Sequence, residues 1–172
     1  MTDLLDLMKE RRSCRSFKSD LVPKELVDKV IEAGLYAASG RGMQSPIIIA
    51  VTNKELLKEL NTVNASFGGN PEPFYGAPVA LIVAAETSNS TQAYDGALTL
   101  GNMMLMAHQL GLGSCWIHRA KQEFRSEFGK KLLERCGITG NYEGVGHLAL
   151  GYATAPSSFV FPRRPNRVFY ID

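Results

Sequence analysis

The chain has 172 residues, 45% hydrophobic and 21% charged, proportions that fit one globular domain with a substantial core and exclude a disordered chain. Its 19 Lys plus Arg against 17 Asp plus Glu leave a net charge of +2, which argues against general nucleic-acid binding, since that needs a large cationic excess. No stretch approaches the roughly 18 consecutive apolar residues of a membrane span, and Asp3, Asp6 and Lys9 among the first leucines break any signal-peptide pattern, so a cytoplasmic protein is expected.

Leu4, Leu5 and Met8 recur at helical spacing and predict a short helix leading into Arg11-Arg12-Ser13-Cys14-Arg15. Pro23 suits the first turn of a second helix, whose Leu26, Val27, Val30, Ile31 and Leu35 form one apolar stripe. After Pro46, the run Ile47 to Val51 reads as a buried strand. Asn53 is placed to cap a third helix with Leu56, Leu57 and Leu60 facing inward. Residues 61–78 are rich in Asn, Gly and Pro, and read as a long loop or lid carrying Phe67, Phe74 and Tyr75.

Ala80 to Ala85 is a second buried strand, followed by a long helix from about Thr91 to Gln109 that ends before Gly111 and Gly113. Its faces are small and apolar, so it belongs in the interior or in a subunit interface. Ser114 to Ile117 predicts a short strand, residues 121–135 one polar helix, and residues 144–152 a further strand. The last twenty residues are extended and punctuated by Pro156, Pro162 and Pro165. The whole is read as a single domain, 1–172, in which about 153–172 form an arm.

Chemistry concentrates in two basic knots. Guanidinium forks match phosphate oxygens, and a serine hydroxyl adds a neutral donor, so Arg11-Arg12-Ser13-Cys14-Arg15 can neutralise and orient a dianion. Arg163-Arg164-Pro165-Asn166-Arg167 is the second knot. The competing reading is two solvated patches, with Arg11 and Arg12 complementing the negative end of the first helix. Cys14, Cys115 and Cys136 form no Cys-x-x-Cys pair and read as reduced thiols. His108, His118 and His147 lack metal-ligand spacing. Alternating strands and helices would favour a parallel sheet, but neither Gly40-Arg41-Gly42 nor Gly144-Val145-Gly146 joins a strand to a helix as a dinucleotide fingerprint requires.

Taken in order, the Arg-x-Ser-x-Arg motif, Ser39-Gly40-Arg41-Gly42-Met43-Gln44-Ser45-Pro46, Phe74-Tyr75-Gly76-Ala77-Pro78, Gly111-Leu112-Gly113-Ser114-Cys115-Trp116-Ile117, Leu148 to Tyr152 and the terminal Arg163-Arg164-Pro165 resemble the nitroreductase family of FMN-dependent oxidoreductases. One residue is extra between Gln44 and Pro46. The resemblance implies an α+β fold, an α/β sandwich with a central mixed sheet flanked by helices. It also implies a homodimer with tightly bound FMN at the subunit interface and a C-terminal tail crossing to the partner.

By position, the resemblance assigns Arg11, Arg12 and Ser13 to the FMN phosphate or nearby ribityl oxygens, joined by Arg163 and Arg164. Arg15 is implied at the N1 and O2 edge, where a cation favours the reduced flavin. Ser39, Gly40, Arg41, Met43 and Gln44 would reach the flavin of the other subunit, and Gly113 and Ser114 would border the isoalloxazine. Phe67, Phe74 and Tyr75 are candidates for the substrate side.

The implied activity is ping-pong transfer from NADH or NADPH through FMN to a nitroaromatic, quinone or similar small-molecule acceptor, with no metal and no acid-base triad. Alternatives are a flavoenzyme specific for one metabolite, by dehydrogenation, dehalogenation or flavin breakdown, and a non-catalytic FMN- or nucleotide-binding module. A weak RNA-binding surface is disfavoured by the charge.

Overall fold

The computed structural model describes residues 3–155 and 160–172; Pro156 of the predicted arm lies outside them. The elements in chain order are α1 (Leu4–Glu10), α2 (Lys24–Leu35), β1 (Pro46–Val51), α3 (Lys54–Ser66), β2 (Val79–Glu86), α4 (Gln92–Gln109), β3 (Gly113–Ile117), α5 (Ala120–Phe124), α6 (Glu127–Arg135) and β4 (Tyr142–Gly151). Four strands form one sheet in the order β1-β2-β4-β3, and every ladder is antiparallel. The parallel sheet favoured by element alternation is therefore not formed. The parallel pairing among the described residues is a single bridge from Ser13 to Ser114, laid along the β3 edge, and the sheet is mixed in that sense.

β2 explains the layering. Its alternate side chains point to opposite faces, and both faces are buried. Val79, Leu81 and Val83 pack with Val27 and Val30 of α2 and Leu100, Met103 and Ala107 of α4. Ala80, Ile82 and Ala84 pack with Leu60 of α3, Phe124 of α5 and Leu132 of α6. Each fully buried Leu or Ile here contributes about 1.5 to 3 kcal/mol relative to exposure. The result is a sandwich of helices on both sides of the sheet.

Asn53 caps α3 as expected, its Oδ1 accepting the Leu56 N–H at 2.9 Å. The predicted lid is shorter than 61–78, because α3 continues through Ser66. Asn64, a poor helix former, is held in that last turn by buried partners: its Nδ2 donates to Glu123 Oε1 and, at 2.7 Å, to the His118 carbonyl. The helix predicted over 121–135 is broken between α5 and α6. Ser126 Oγ donates to the Glu123 carbonyl at 2.6 Å, and Gly129 packs directly on the Glu123–Phe124 backbone. β4 begins at Tyr142, two residues before the predicted start.

Candidate functional site

Beyond α1 the chain is extended, so Arg11, Ser13 and Arg15 share one face and Arg12, Cys14 and Ser16 the other. The Cys14 N–H donates to the Ser114 carbonyl at 2.8 Å, which docks the segment on β3. The Arg11-Ser13-Arg15 face meets Cys115. That thiol is pushed up in pKa by burial, against the pull of Arg15, Ser13 and Arg11.

The two leading arginines are in different states. Arg12 Nη1 donates to the Lys9 and Arg11 carbonyls at 2.5 and 2.7 Å, capping the C-terminal carbonyls of α1 in the manner of the competing sequence reading. Arg11 has no such outlet: its Nη1 is buried without an acceptor. Burial, then the neighbouring Arg12, lowers its pKa. A buried donor without an acceptor is unfavourable, and an anion at this point would remove the penalty.

The tail comes back to the same place. Arg163 lines a groove of about 400 Å³ with Met8, Lys9, Arg11 and Arg12, and among the described residues neither Arg11, Arg12 nor Arg163 has a carboxylate partner. The two terminal knots thus meet through Arg163, whereas Arg164 is exposed and outside the groove. Behind them, a broader groove of about 560 Å³ is lined by Arg12, Cys14, Arg15, His108, Gly113 and Thr154 among others.

Ser39 to Gln44 lies at the other end of α4. The turn is pinned by Asp95, a buried residue of the first turn of α4 whose Oδ1 accepts the Gly40 N–H at 3.0 Å and whose Oδ2 accepts Asn89 Nδ2 and Thr91 Oγ1. Ser39 Oγ accepts the Gln44 N–H at 2.9 Å. Arg41, Gly42 and Gln44 all have positive φ, at 53°, 67° and 50°, a conformation L residues rarely hold unless the surroundings fix it. Gly40 cannot carry a side chain here, because Thr91 occupies the space. Arg41 and Met43 are left exposed on the outside of the turn.

The remaining candidates separate by burial. Ser114 is buried, with its carbonyl taken by Cys14, whereas Gly113 is half-buried beside the Cys14 side chain and lines the broader groove. Phe74 is 3% exposed and tilts against His147 in the core, while Tyr75 packs against the same cluster and Phe67 is exposed. A buried set missed by the sequence reading joins Asn64, Glu123 and His147, with His147 Nε2 2.8 Å from Glu123 Oε2. Neither of those two atoms has an aligned hydrogen bond, so the contact is one of distance. Asp95 was equally hidden: in sequence it is an acid in a helix's first turn, where the dipole alone accounts for it.

The chain as a whole has counterparts. The model of the nitroreductase family matches residues 8–72 and 65–152. A Methanothermobacter thermautotrophicus protein that carries the provisional name NADH dehydrogenase/NAD(P)H nitroreductase is 33% identical over 135 residues, 76% of this chain and 69% of its own. The crystal structure of a nitroreductase with bound FMN from Bacteroides fragilis superposes over all of both chains with a TM-score of 0.87 at 26% identity. One from Desulfitobacterium hafniense, also with bound FMN, does so at 0.84 and 25%. With the family model spanning both the arginine segment and β4, the chain belongs to the nitroreductase family.

Proposed function

We propose that the chain is an FMN-dependent oxidoreductase that takes reducing equivalents from NADH or NADPH and delivers them to a nitroaromatic, quinone or similar small acceptor in ping-pong order. The observation that carries the reading is Arg11, a half-buried residue whose Nη1 is buried and unpartnered, beside Arg163 and with no carboxylate. A phosphate dianion is the partner such a pair lacks.

The residues present fit FMN. Arg11 and Arg163 hold its phosphate, Ser13 adds a neutral donor, and Arg15 supplies the positive potential that favours a reduced, anionic flavin. Arg12 leaves this set because its guanidinium caps α1. When bound, FMN supplies the hydride chemistry itself; the chain binds and orients it. Phe67 and Tyr75 remain the aromatic candidates for the substrate side. Purified protein that is yellow, releases FMN on denaturation and bleaches with NADH or NADPH supports the reading. A colourless preparation that neither binds nor reduces added FMN contradicts it, and intersecting double-reciprocal lines contradict the ping-pong order.

The working form is a homodimer with FMN at its interface. Three features support this. Tyr94 and Leu98 of α4 are exposed, and the space over Gly101, on the same face, is open. The tail exposes Val160, Phe161, Val168, Phe169, Tyr170 and Ile171, an apolar stretch suited to lie across a partner. Finally, the Arg11 segment and the Ser39–Gln44 turn lie toward opposite ends of α4, whose 18 residues span about 27 Å. One mononucleotide touches both only if the turn comes from the second copy. We assign the enzyme to the cytoplasm, where its three free thiols stay reduced.

A further inference from the structure

At the α4 end that carries the turn, a second cationic feature stands outside the cofactor assignment. A cavity of about 490 Å³ is lined by Gln92, His118, Arg119, Lys121, Glu143 and neighbouring residues. Its charges are unequal. Glu143 is neutralised twice, by Lys121 at 2.8 Å and Arg125 at 2.6 Å. Burial pushes the Glu143 carboxyl up, but these two cations more than offset it and its pKa is lowered. Arg119 has no carboxylate partner among the described residues, and its Nη1 is buried without an acceptor. Gln92 Oε1, on the cavity wall, is likewise buried without a donor.

The corner that bears Arg119 is built to stay in place. Its φ of 82° is left-handed, a costly state for an arginine. The His118 carbonyl is fixed by Asn64, the Arg119 carbonyl accepts the Glu123 N–H at 3.1 Å, and Asn64, Glu123 and His147 are buried behind. The guanidinium lies against Gly68 and Gly69, where a Cβ on Gly69 would come within 2.9 Å of Nη2. A guanidinium fork with no counter-ion, on a residue that lines a polar cavity, suits a carboxylate or phosphate edge.

We propose that the Arg119 corner binds an oxyanion, carboxylate or phosphate, carried by the small-molecule substrate. Gln92 is the first residue of α4, next to the Thr91 that supports the Gly40 turn, so the anion is held beside that turn. Only the identification of the oxyanion as a substrate's rests on the oxidoreductase reading.

The test is Arg119→Gly, which removes the guanidinium and relaxes the left-handed backbone, so Tm holds or rises. In the holoenzyme, KM is measured for 4-nitrobenzoate against 4-nitrobenzyl alcohol and for NADPH against NADH. Loss of one charge-assisted contact raises one of these anionic-to-neutral or phosphorylated-to-unphosphorylated KM ratios about tenfold or more. A shift in the first ratio identifies an acceptor carboxylate, and a shift in the second the 2′-phosphate of NADPH. Arg119→Lys, a charge without the fork, falls between wild type and glycine. Separately, in an Arg11→Ala background that weakens the first anion site, inorganic phosphate raises the Tm of the Arg119 protein more than that of the Arg119→Gly protein. Both KM ratios within twofold of wild type, together with equal phosphate stabilisation, overturn the proposal. A protein that holds no FMN overturns the functional reading instead, and the phosphate comparison still decides the site.

Discussion

The two ends of α4 solve different problems. At its C-terminal end an extended segment lies on the β3 edge through one bridge, and its strongest feature, Arg11, lacks a partner. At its N-terminal end the Ser39–Gln44 turn is over-determined: Asp95 takes three donors and three residues hold positive φ. One end is prepared to receive a ligand and the other to present a rigid surface. On the proposed dimer reading the two ends are halves of one site contributed by different copies, and that comparison can be attacked from either side.

The largest effect is expected from the buried set behind the rigid end. Glu123→Ala removes the side-chain acceptor of Asn64 and leaves a cavity beside His147, and denaturant unfolding should show a loss of about 2 to 5 kcal/mol. A loss below about 1 kcal/mol would mean that the set does not hold the His118–Arg119 corner. Arg11→Ala comes next. Removing charge-assisted bonds worth about 1.5 to 3 kcal/mol each should weaken FMN binding roughly ten- to a hundredfold in a fluorescence titration, whereas Arg12→Ala should cost FMN binding little and instead lower stability by about 0.5 to 1.5 kcal/mol through lost capping of α1. Equal cofactor loss in both variants would erase the distinction drawn between these neighbours.

Asp95→Asn keeps the shape but cannot accept all three donors, so the turn should loosen, with faster amide exchange at Gly40 and about 1 to 3 kcal/mol less stability. The smallest effect is at Glu143. Its depressed folded-state pKa means that its stabilisation is present above the unfolded value of about 4.3 and is lost as pH falls through the folded value. Because Lys121 and Arg125 are largely exposed, Glu143→Gln should cost less than about 1 kcal/mol at pH 7 and nothing near pH 2.

Much of this was legible in the sequence because it rests on local periodicity. The α2 stripe as far as Ile31, the β2 run and the Asn53 cap follow from side-chain spacing and one oxygen, whereas Leu35, the last residue of that stripe, is exposed at the end of α2. What was not legible depends on distant partners. Asn64 is helical because Glu123 and the His118 carbonyl hold it, and α5 stops where Gly129 folds back on it. The arginine cluster was readable as an anion site, but its division was not: Arg12 reaches the Lys9 and Arg11 carbonyls while its neighbour Arg11 has a buried, unpartnered Nη1. Phe74 read as a loop aromatic and lies in the core because the chain turns inward there. Arg119 gave no signal, since a left-handed arginine is specified by its surroundings and by nothing in its own neighbourhood of sequence.

The central claim is that each FMN site combines the Arg11 segment of one copy with the Ser39–Gln44 turn of the other. It is tested most directly by mixing two defective proteins, Arg11→Glu and Gly40→Val, the latter displacing the turn from Thr91. Each alone should retain little FMN. After co-refolding, half the dimers are mixed and each of these has one intact site, so the account predicts FMN in about a quarter of all sites. No recovery above the separate variants, with mixed dimers demonstrated by mass, would contradict it.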